Sequence, residues 1–410
     1  DPFGASLCLI LFGLFFARKL YRMNLLTIAD FYRERYDRRV EVITGVAIAL
    51  SYLGWVSAQV TALGLVFNVL SEGQITQAQG ILIGASVVLM YTLYGGMWSV
   101  ALTTFFQMIV IVLGLLYIAW LVTGMTGGVA PVIEHAAAND KFHFWPDLNA
   151  VALVAFMSGL LTMGFGSIPQ QDVFQRANSS KNEHVAVWGT VAGGVAYFLF
   201  AAVPLFLAYS ANLIDPELAA RWLAEDSQKL LPELVKAHLP LFAQVIFYGA
   251  LLSVIMSTAS GTLLAPSVTI SENVLKGFIT RRKHLTEKKL LLLTRWVVAC
   301  FAVLVTLYAL WALGEDTGIH QMVENAYKVT LVVAFVPLVA GLYWRRANTQ
   351  GAYLAIGLGL FTWLGLELFA PEGALPPQFA GFLLSAVGML VGSLSRPATR
   401  GAVATEVEKS

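Results

Sequence analysis

Long apolar runs separated by short charged segments constrain this chain more than any other feature. Eleven such runs lie at residues 4–17, 42–70, 78–94, 99–124, 150–168, 185–211, 240–275, 290–313, 321–343, 351–370 and 378–395. A helix needs about 20 apolar residues to cross a bilayer, and most of these runs are close to that length. Hydrocarbon admits only helices or closed barrels, and continuous apolar runs lack the alternation of a barrel strand. The runs therefore predict an all-α polytopic membrane protein.

The composition agrees with a chain that is surrounded by lipid. Charged residues make up 12% of the 410 residues, apolar residues make up 58%, and the mean hydropathy is +0.71. A soluble domain carries about a quarter charged residues, because its surface faces water. The net charge of +1 gives no indication of a nucleic-acid partner. Cys8 and Cys300 both lie in apolar runs, which favours packing roles over a disulfide or a metal pair.

The distribution of Lys and Arg tests the number of helices and sets their orientation. With the N-terminus outside, these residues fall in cytoplasmic segments, except for Arg295 and Lys328 inside helices and the outer residues Lys141, Arg221, Lys229 and Lys236. The positive-inside rule therefore predicts a multi-pass protein of the inner or plasma membrane with a cytoplasmic C-terminus. Residues 1–395 are expected to form one transmembrane domain, and residues 396–410 a short cytoplasmic tail.

The chain begins Asp1-Pro2-Phe3-Gly4, with neither a Met nor a charged segment followed by a cleavage site. We therefore expect that part of the protein precedes it. Between the first two runs, residues 25–36 alternate apolar and charged side chains, which is typical of an interfacial helix or, alternatively, of a solvated linker.

No enzyme motif interrupts the apolar runs. The sequence contains no His-Glu-x-x-His, no glycine-rich phosphate loop with Lys, and no Cys/His cluster at metal-ligand spacing. An intramembrane enzyme would also need an acid and base pair within the bilayer, and the runs contain almost no such residues. We therefore predict that the protein is not an enzyme.

The run at 240–275 carries an unusual cluster of hydroxyl side chains. Ser257 lies on the same helix side as Ser260 and Gly261, and Thr258 lies beside it. Hydroxyl and carbonyl oxygens suit a hard monovalent cation. The same pattern is also typical of close helix packing with hydroxyls bonded back to carbonyls, and the residues by themselves favour that second interpretation.

Two further segments point to a transport site. Gly164, Gly166 and Pro169 interrupt the run at 150–168, and transporters use such broken helices to expose backbone groups to an ion or solute. A plain helix end is the alternative. Trp55 and Gln59, four residues apart, project from one helix face, where Trp offers a cation–π surface.

Five segments resemble, in order and spacing, the sodium:solute symporter family. They are Leu26–Tyr32 with Arg35 and Tyr36, the block from a predicted tight turn at Gly95 and Gly96 to Gln107, Pro169–Arg176, Ser257–Pro266, and Gly341–Ala347. The resemblance covers the chain to about Ser395. It implies an inverted-repeat (5+5) core like that of the bacterial leucine transporter, with additional C-terminal helices. It also implies that the first core helix, which supplies half of the ion and solute ligands, precedes the residues present here.

The resemblance implies a site for Na+ formed by the carbonyl of Val254 and the hydroxyls of Ser257 and Thr258. Thr104 replaces an Asp, and Gly261 a Ser or Thr, at two positions that form an extra sodium site in some members, so we expect one Na+ per cycle. Solute contacts are expected from Trp55, Gln59, Phe165, Gln170 and Tyr327.

The expected function is sodium-coupled import of a small organic solute by alternating access. An amino acid, a carboxylate or a choline-like solute is compatible with these residues. A symporter-like membrane sensor that detects a solute for a signalling kinase is the alternative.

Overall fold

The computed structural model describes residues 2–276, 279, 286–315, 317–371, 373 and 375–395, without the side chains of residues 95–100. All regular structure in these residues is helical. Ten helical spans among them are long and apolar enough to cross a membrane, and the shorter helix Ala150–Phe165 matches the remaining apolar run. The eleven predicted spans are thus confirmed as helices, whereas the predicted tail at 396–410 lies outside the described residues.

The helices are numbered here in chain order. They are α1 (Pro2–Arg22), α2 (Ile28–Arg35), α3 (Arg38–Leu70), α4 (Gln77–Met125), α5 (Val129–Ala138), α6 (Ala150–Phe165), α7 (Gln171–Asn178), α8 (Glu183–Ile214), α9 (Pro216–Glu225), α10 (Leu230–His238), α11 (Leu241–Leu275), α12 (Glu287–Gly314), α13 (Ile319–Tyr343), α14 (Thr349–Phe369) and α15 (Pro377–Leu394). Three of them contain π-helical turns, at Phe12–Ala17, Ile270–Leu275 and Leu331–Phe335.

Polar residues begin the helices where the apolar runs begin. Thr27 and Asp30 form a reciprocal capping box at the start of α2. The Asp37 carboxylate caps α3 by accepting hydrogen bonds from two backbone N–H groups. Such caps satisfy N–H groups that have no partner within the helix, which is why α2 and α3 start at these polar residues.

Helix α4 is assigned over 49 residues, which would measure about 74 Å if it were straight, against a hydrocarbon core of about 30 Å. It is bent. The hydroxyls of Tyr91 and Thr103 are hydrogen-bonded, although residues twelve positions apart in a straight helix are separated by about 18 Å along its axis. The chain therefore turns back between its two apolar arms, Gln77–Tyr94 and Ala101–Met125. The predicted turn at Gly95 and Gly96 falls on residues 95–100, whose side chains lie outside the description.

Helix α3 forms the centre of the bundle and contacts α4, α11, α12 and α13. Helices α14 and α15 pack closely against each other beside α13. A Cβ atom on Gly388 would lie 2.6 Å from the Leu354 carbonyl oxygen, so only glycine permits this approach. Small residues at such crossings let membrane helices pack through their backbones.

Helix α2 lies across one end of the bundle, which we call the basic end because the Arg residues near α2 cluster there. Arg35 donates hydrogen bonds to the carbonyl oxygens of Gly341 (2.9 Å), at the end of α13, and of Ala347 (2.7 Å), just beyond it. The Tyr32 hydroxyl donates to Ala334 O (2.9 Å), within a π-helical turn of the same helix. Two of the segments that carried the family resemblance are therefore direct packing partners.

Candidate functional site

The hydroxyl cluster of α11 lies in the interior of the bundle. Ser257 is 8% exposed, and its hydroxyl lies 2.8 Å from the hydroxyl of Thr104 on the second arm of α4. Thr258 is half-buried beside it. The carbonyl of Val254 is one turn earlier on α11, and helix carbonyls point towards the C-terminal end, in the direction of residues 257 and 258. The three predicted sodium ligands therefore lie within one turn of one helix.

Two neighbouring hydroxyls are engaged in the helix backbone. Ser260 Oγ donates to the Ser257 carbonyl at 3.1 Å, and Thr262 Oγ1 donates to the Thr258 carbonyl at 2.7 Å. These bonds match the packing interpretation of the cluster, because they satisfy the hydroxyls within α11. Ser257 differs, since its hydroxyl reaches across to another helix.

The donor chemistry at Ser257 and Thr258 suits Na+. Hard cations prefer oxygen ligands, and neutral hydroxyl and carbonyl oxygens match a single positive charge. No group of three or more His, Cys, Asp or Glu side chains that could hold a metal ion occurs in the described part of the chain. The neutral oxygens of α11 fit a monovalent ion.

Of the five predicted solute residues, the structure brings Trp55 and Tyr327 together. Their ring centroids are 5.3 Å apart with an interplanar angle of 39°, across the contact between α3 and α13. Gln59 lies one turn further along α3 and is half-buried. Phe165 faces elsewhere, stacking on Phe335 at 4.7 Å between α6 and α13.

Gln170 lies in the break between α6 and α7 and is 4% exposed. Its amide nitrogen lies 3.0 Å from Ser51 Oγ on α3 and 3.3 Å from Thr330 Oγ1 on α13. The same break is held by Thr330 Oγ1, which donates to the Gly166 carbonyl at 2.6 Å. In this conformation the Gln170 amide is engaged with two helices.

The next two residues bind two further partners. Gln171 Oε1 accepts the Ile28 N–H at 2.8 Å at the start of α2, and Asp172 Oδ1 accepts the Tyr52 hydroxyl at 2.5 Å. Three consecutive side chains thus dock the broken helix on α3, α13 and α2. Sequence reasoning found the break but not these partners.

A buried polar network at the basic end was missed by sequence reasoning. The Asn273 amide nitrogen donates to Asp30 Oδ1 and to Glu41 Oε1, both at 2.8 Å, and Asn273 Oδ1 accepts from Thr27 Oγ1 at 2.8 Å. Glu41 is fully buried and paired with Arg38 at 2.6 Å. The network joins α2, the start of α3 and the end of α11. Its signal in the sequence was Glu41, an acidic residue at the start of an apolar run.

Apolar spans of this length, a broken helix and an aromatic pair between α3 and α13 define a polytopic helical membrane protein. A family model described as the sodium:solute symporter family matches residues 2–359. The chain belongs to the sodium:solute symporter family.

Relatives and a solved structure agree with this assignment. The chain is 26% identical over 380 residues to High-affinity choline transporter 1 of Caenorhabditis elegans, covering 88% of this chain and 62% of that protein. It is 25% identical over 399 residues to the Sodium/proline symporter of Escherichia coli (strain K12), covering 91% of this chain and 74% of that protein. A Na+-coupled sialic acid symporter, solved in a substrate-bound outward-open state, superposes with a TM-score of 0.73 at 17% identity, covering 98% of this chain and 84% of that one.

The predicted fold class, an all-α membrane protein with an inverted-repeat core like that of the leucine transporter, is confirmed by this superposition and by the family match. The chain spans 62% of the length of the choline transporter relative from C. elegans. Its relatives are transporters rather than enzymes.

Proposed function

We propose that this chain is the transport core of a sodium-coupled symporter that imports a small organic solute by alternating access. The observation that carries the proposal is the position of Ser257. Its buried hydroxyl leaves the α11 backbone and meets Thr104, within one turn of the Val254 carbonyl and the Thr258 hydroxyl. These oxygens form the Na+ site of the proposal, and backbone carbonyls of a preceding helix complete it.

The basic end faces the cytoplasm in this proposal, in a plasma or inner membrane, with the C-terminus on the same side. The support is the excess of Lys and Arg at that end. One Na+ moves per cycle, because Thr104 and Gly261 supply no carboxylate or hydroxyl pair for a second ion. A single charge crossing 100 mV yields about 2.3 kcal/mol and a tenfold gradient adds about 1.4 kcal/mol, enough to accumulate a solute several hundredfold.

The solute lies against the Trp55–Tyr327 pair. Two aromatic faces at this spacing present negative π surfaces, which favour an organic cation or the ammonium end of a zwitterion. Choline and proline, the solutes named for two relatives, are therefore the first compounds to test, and a choline-like solute has the stronger support from the aromatic pair.

The test is uptake by the full-length protein in proteoliposomes with an inward Na+ or K+ gradient, across a panel of labelled solutes. We expect uptake only with Na+. Combined Ser257→Ala and Thr258→Val changes should abolish the sodium dependence. Ser267→Ala removes a buried hydroxyl from the same helix and should leave uptake unchanged, because that hydroxyl bonds one turn back, to Leu263 O at 2.8 Å. Equal uptake in both gradients would refute the coupling, and solute binding without uptake would favour the sensor.

A further inference from the structure

Two layers of side chains lie between α3 and α13 beside the broken helix: the Trp55–Tyr327 aromatic pair, and the hydroxyls of Ser51 and Thr330. The two helices run in opposite directions, since α3 begins and α13 ends at the basic end. Ser51 precedes Trp55 by four residues on α3, and Thr330 follows Tyr327 by three residues on α13. The Ser51–Thr330 layer is therefore one helical turn, about 5 Å, nearer to the basic end than the aromatic pair.

Gln170 closes this second layer. Its amide nitrogen bridges Ser51 Oγ and Thr330 Oγ1, and all three residues are almost completely buried, at 4%, 1% and 0% exposure. Although Gln170 is the N-cap residue of α7, its side chain makes no capping bond. It extends sideways instead, from the break in the helix towards two other helices.

The Gln170 bridge can open easily, because its hydrogen bonds are weak and because residues 166–170 are not held in a regular helix. The bonds join neutral groups, which water can replace when the chain moves. Residues between Gly166 and Gln170 are not part of a helix, and a Cβ atom on Gly166 would lie 2.5 Å from the Tyr327 carbonyl oxygen. The break is therefore pressed against α13 at the aromatic pair, where a shift of α7 would separate Gln170 from both hydroxyls.

We propose that Gln170 is a gating residue: its amide bridge to Ser51 and Thr330 closes the pathway on the basic side of the aromatic pair, and a solute leaves through that end only when the bridge opens. The proposal rests on the proposed transport function. In this role Gln170 is a positioning residue that holds the break between α6 and α7 against α3 and α13. The sequence had led us to expect a direct contact with the solute instead.

The test measures whether a thiol reagent added at the basic end can reach position 59, which lies beyond both the Gln170 bridge and the aromatic pair. Gln59→Cys, on the far side of the aromatic pair, is introduced into full-length protein in which Cys8 and Cys300 are replaced by Ser. A membrane-impermeant maleimide is then added to the basic side of oriented proteoliposomes, without Na+ or solute. Gln170→Ala removes every hydrogen bond of the bridge, including the weaker one from Ser51 Oγ to Gln170 Oε1 at 3.4 Å, and should raise the labelling rate of the introduced thiol about tenfold.

Two further variants control for folding and for general loosening. Ser51→Ala removes one bond of the bridge without touching the broken helix, and should raise the rate by a smaller factor. Gln175→Ala is the matched control, since it makes the same change on α7 at a half-buried position facing a cavity of about 290 Å³ beside α11. It should leave the rate unchanged.

An unchanged labelling rate in both Gln170→Ala and Ser51→Ala would overturn the gate, as would an equal rise in Gln175→Ala. A loss of solute affinity in Gln170→Ala with no change in labelling would instead make Gln170 a solute ligand. Because the labelling uses neither Na+ nor solute, a failure of sodium-coupled uptake would defeat the proposed function without altering this result.

Discussion

The hydroxyl of Thr104 lies 2.8 Å from the hydroxyl of Ser257, which joins the second arm of α4 to the middle of α11. The side chain at position 104 is neutral, whereas the family resemblance implies an Asp there in some members. In the proposed function, this pair sets the number of ions carried per solute, because a carboxylate at position 104 would add a charged oxygen ligand for a second ion.

Replacing Thr104 by Asp should create a second cation position. A carboxylate beside the Ser257 hydroxyl attracts a cation strongly in a medium of low dielectric constant. We expect the Na+ to solute flux ratio to rise from one to two, measured by dual-isotope uptake in voltage-clamped proteoliposomes. Thr104→Ser keeps the hydroxyl and should keep the ratio at one. A ratio of two in the unchanged protein would contradict the one-ion assignment.

Asn273→Ala should destabilise the basic end. The change removes the donor shared by the buried carboxylates of Asp30 and Glu41 and leaves the Thr27 hydroxyl without its acceptor. Buried groups that lose charge-assisted hydrogen bonds cost about 2–4 kcal/mol, so the melting temperature in detergent should fall by several degrees. Asn139→Ala, at an exposed position, is the control. An unaltered melting temperature would mean that the network contributes nothing to stability.

Trp55→Ala should weaken solute binding if an organic cation lies against the aromatic pair. A desolvated cation–π contact contributes about 1–2 kcal/mol, so the dissociation constant of the transported solute should rise about five- to thirtyfold, measured by scintillation proximity. Trp55→Phe retains a π face and should lose less. Trp311→Ala, an exposed Trp of α12, is the control. Equal losses in both Ala variants would point to general destabilisation.

The start of α9 should loosen in acid. Asp215 accepts the Leu218 N–H at 2.9 Å and contacts the His238 ring at 2.7 Å, and these two partners hold the pKa of Asp215 below its ordinary value. The ionised carboxylate therefore stabilises the fold above the unfolded pKa of about 3.9, and this contribution is lost as the pH falls below that value.

Hydrogen exchange in residues 216–225 should therefore rise, relative to Asp215→Asn, as the pH falls from about 4 to about 3, because Asn retains a cap that does not titrate. Glu217→Gln, on the same helix, should leave this rise in place. An identical pH response of the unchanged protein and Asp215→Asn would refute the assignment.

Much of the fold could be predicted because membrane helices are defined locally. Each span needs only a sufficient apolar run, so the runs predicted the helices, and charge asymmetry predicted which ends lie together. Contacts such as Arg22 with Glu183 at 2.8 Å confirm the grouping of ends. The family resemblance, rather than the hydroxyl content, pointed to an ion site at Ser257 and Thr258, because the hydroxyls by themselves favour helix packing.

The partners of the polar side chains could not be predicted. Asn273 and Glu41 are separated by 232 positions, and no periodicity relates residues so far apart. Gln170 was one of the residues expected to contact solute, and its hydrogen bonds to Ser51 and Thr330 could not be predicted. The sequence does not specify which neighbour meets a freed polar group, since that depends on how the helices pack.

The sequence by itself determined that the chain enters a bilayer as helices, because hydrocarbon permits only segments whose backbone is satisfied internally. It also indicated an interruption at Gly164, Gly166 and Pro169, and the structure shows that residues 166–170 separate two helices there. Only the tertiary structure decided that Trp55 meets Tyr327 and that Ser257 meets Thr104. Those pairs form where separate helices cross, and packing between helices, rather than any local pattern, sets the crossing.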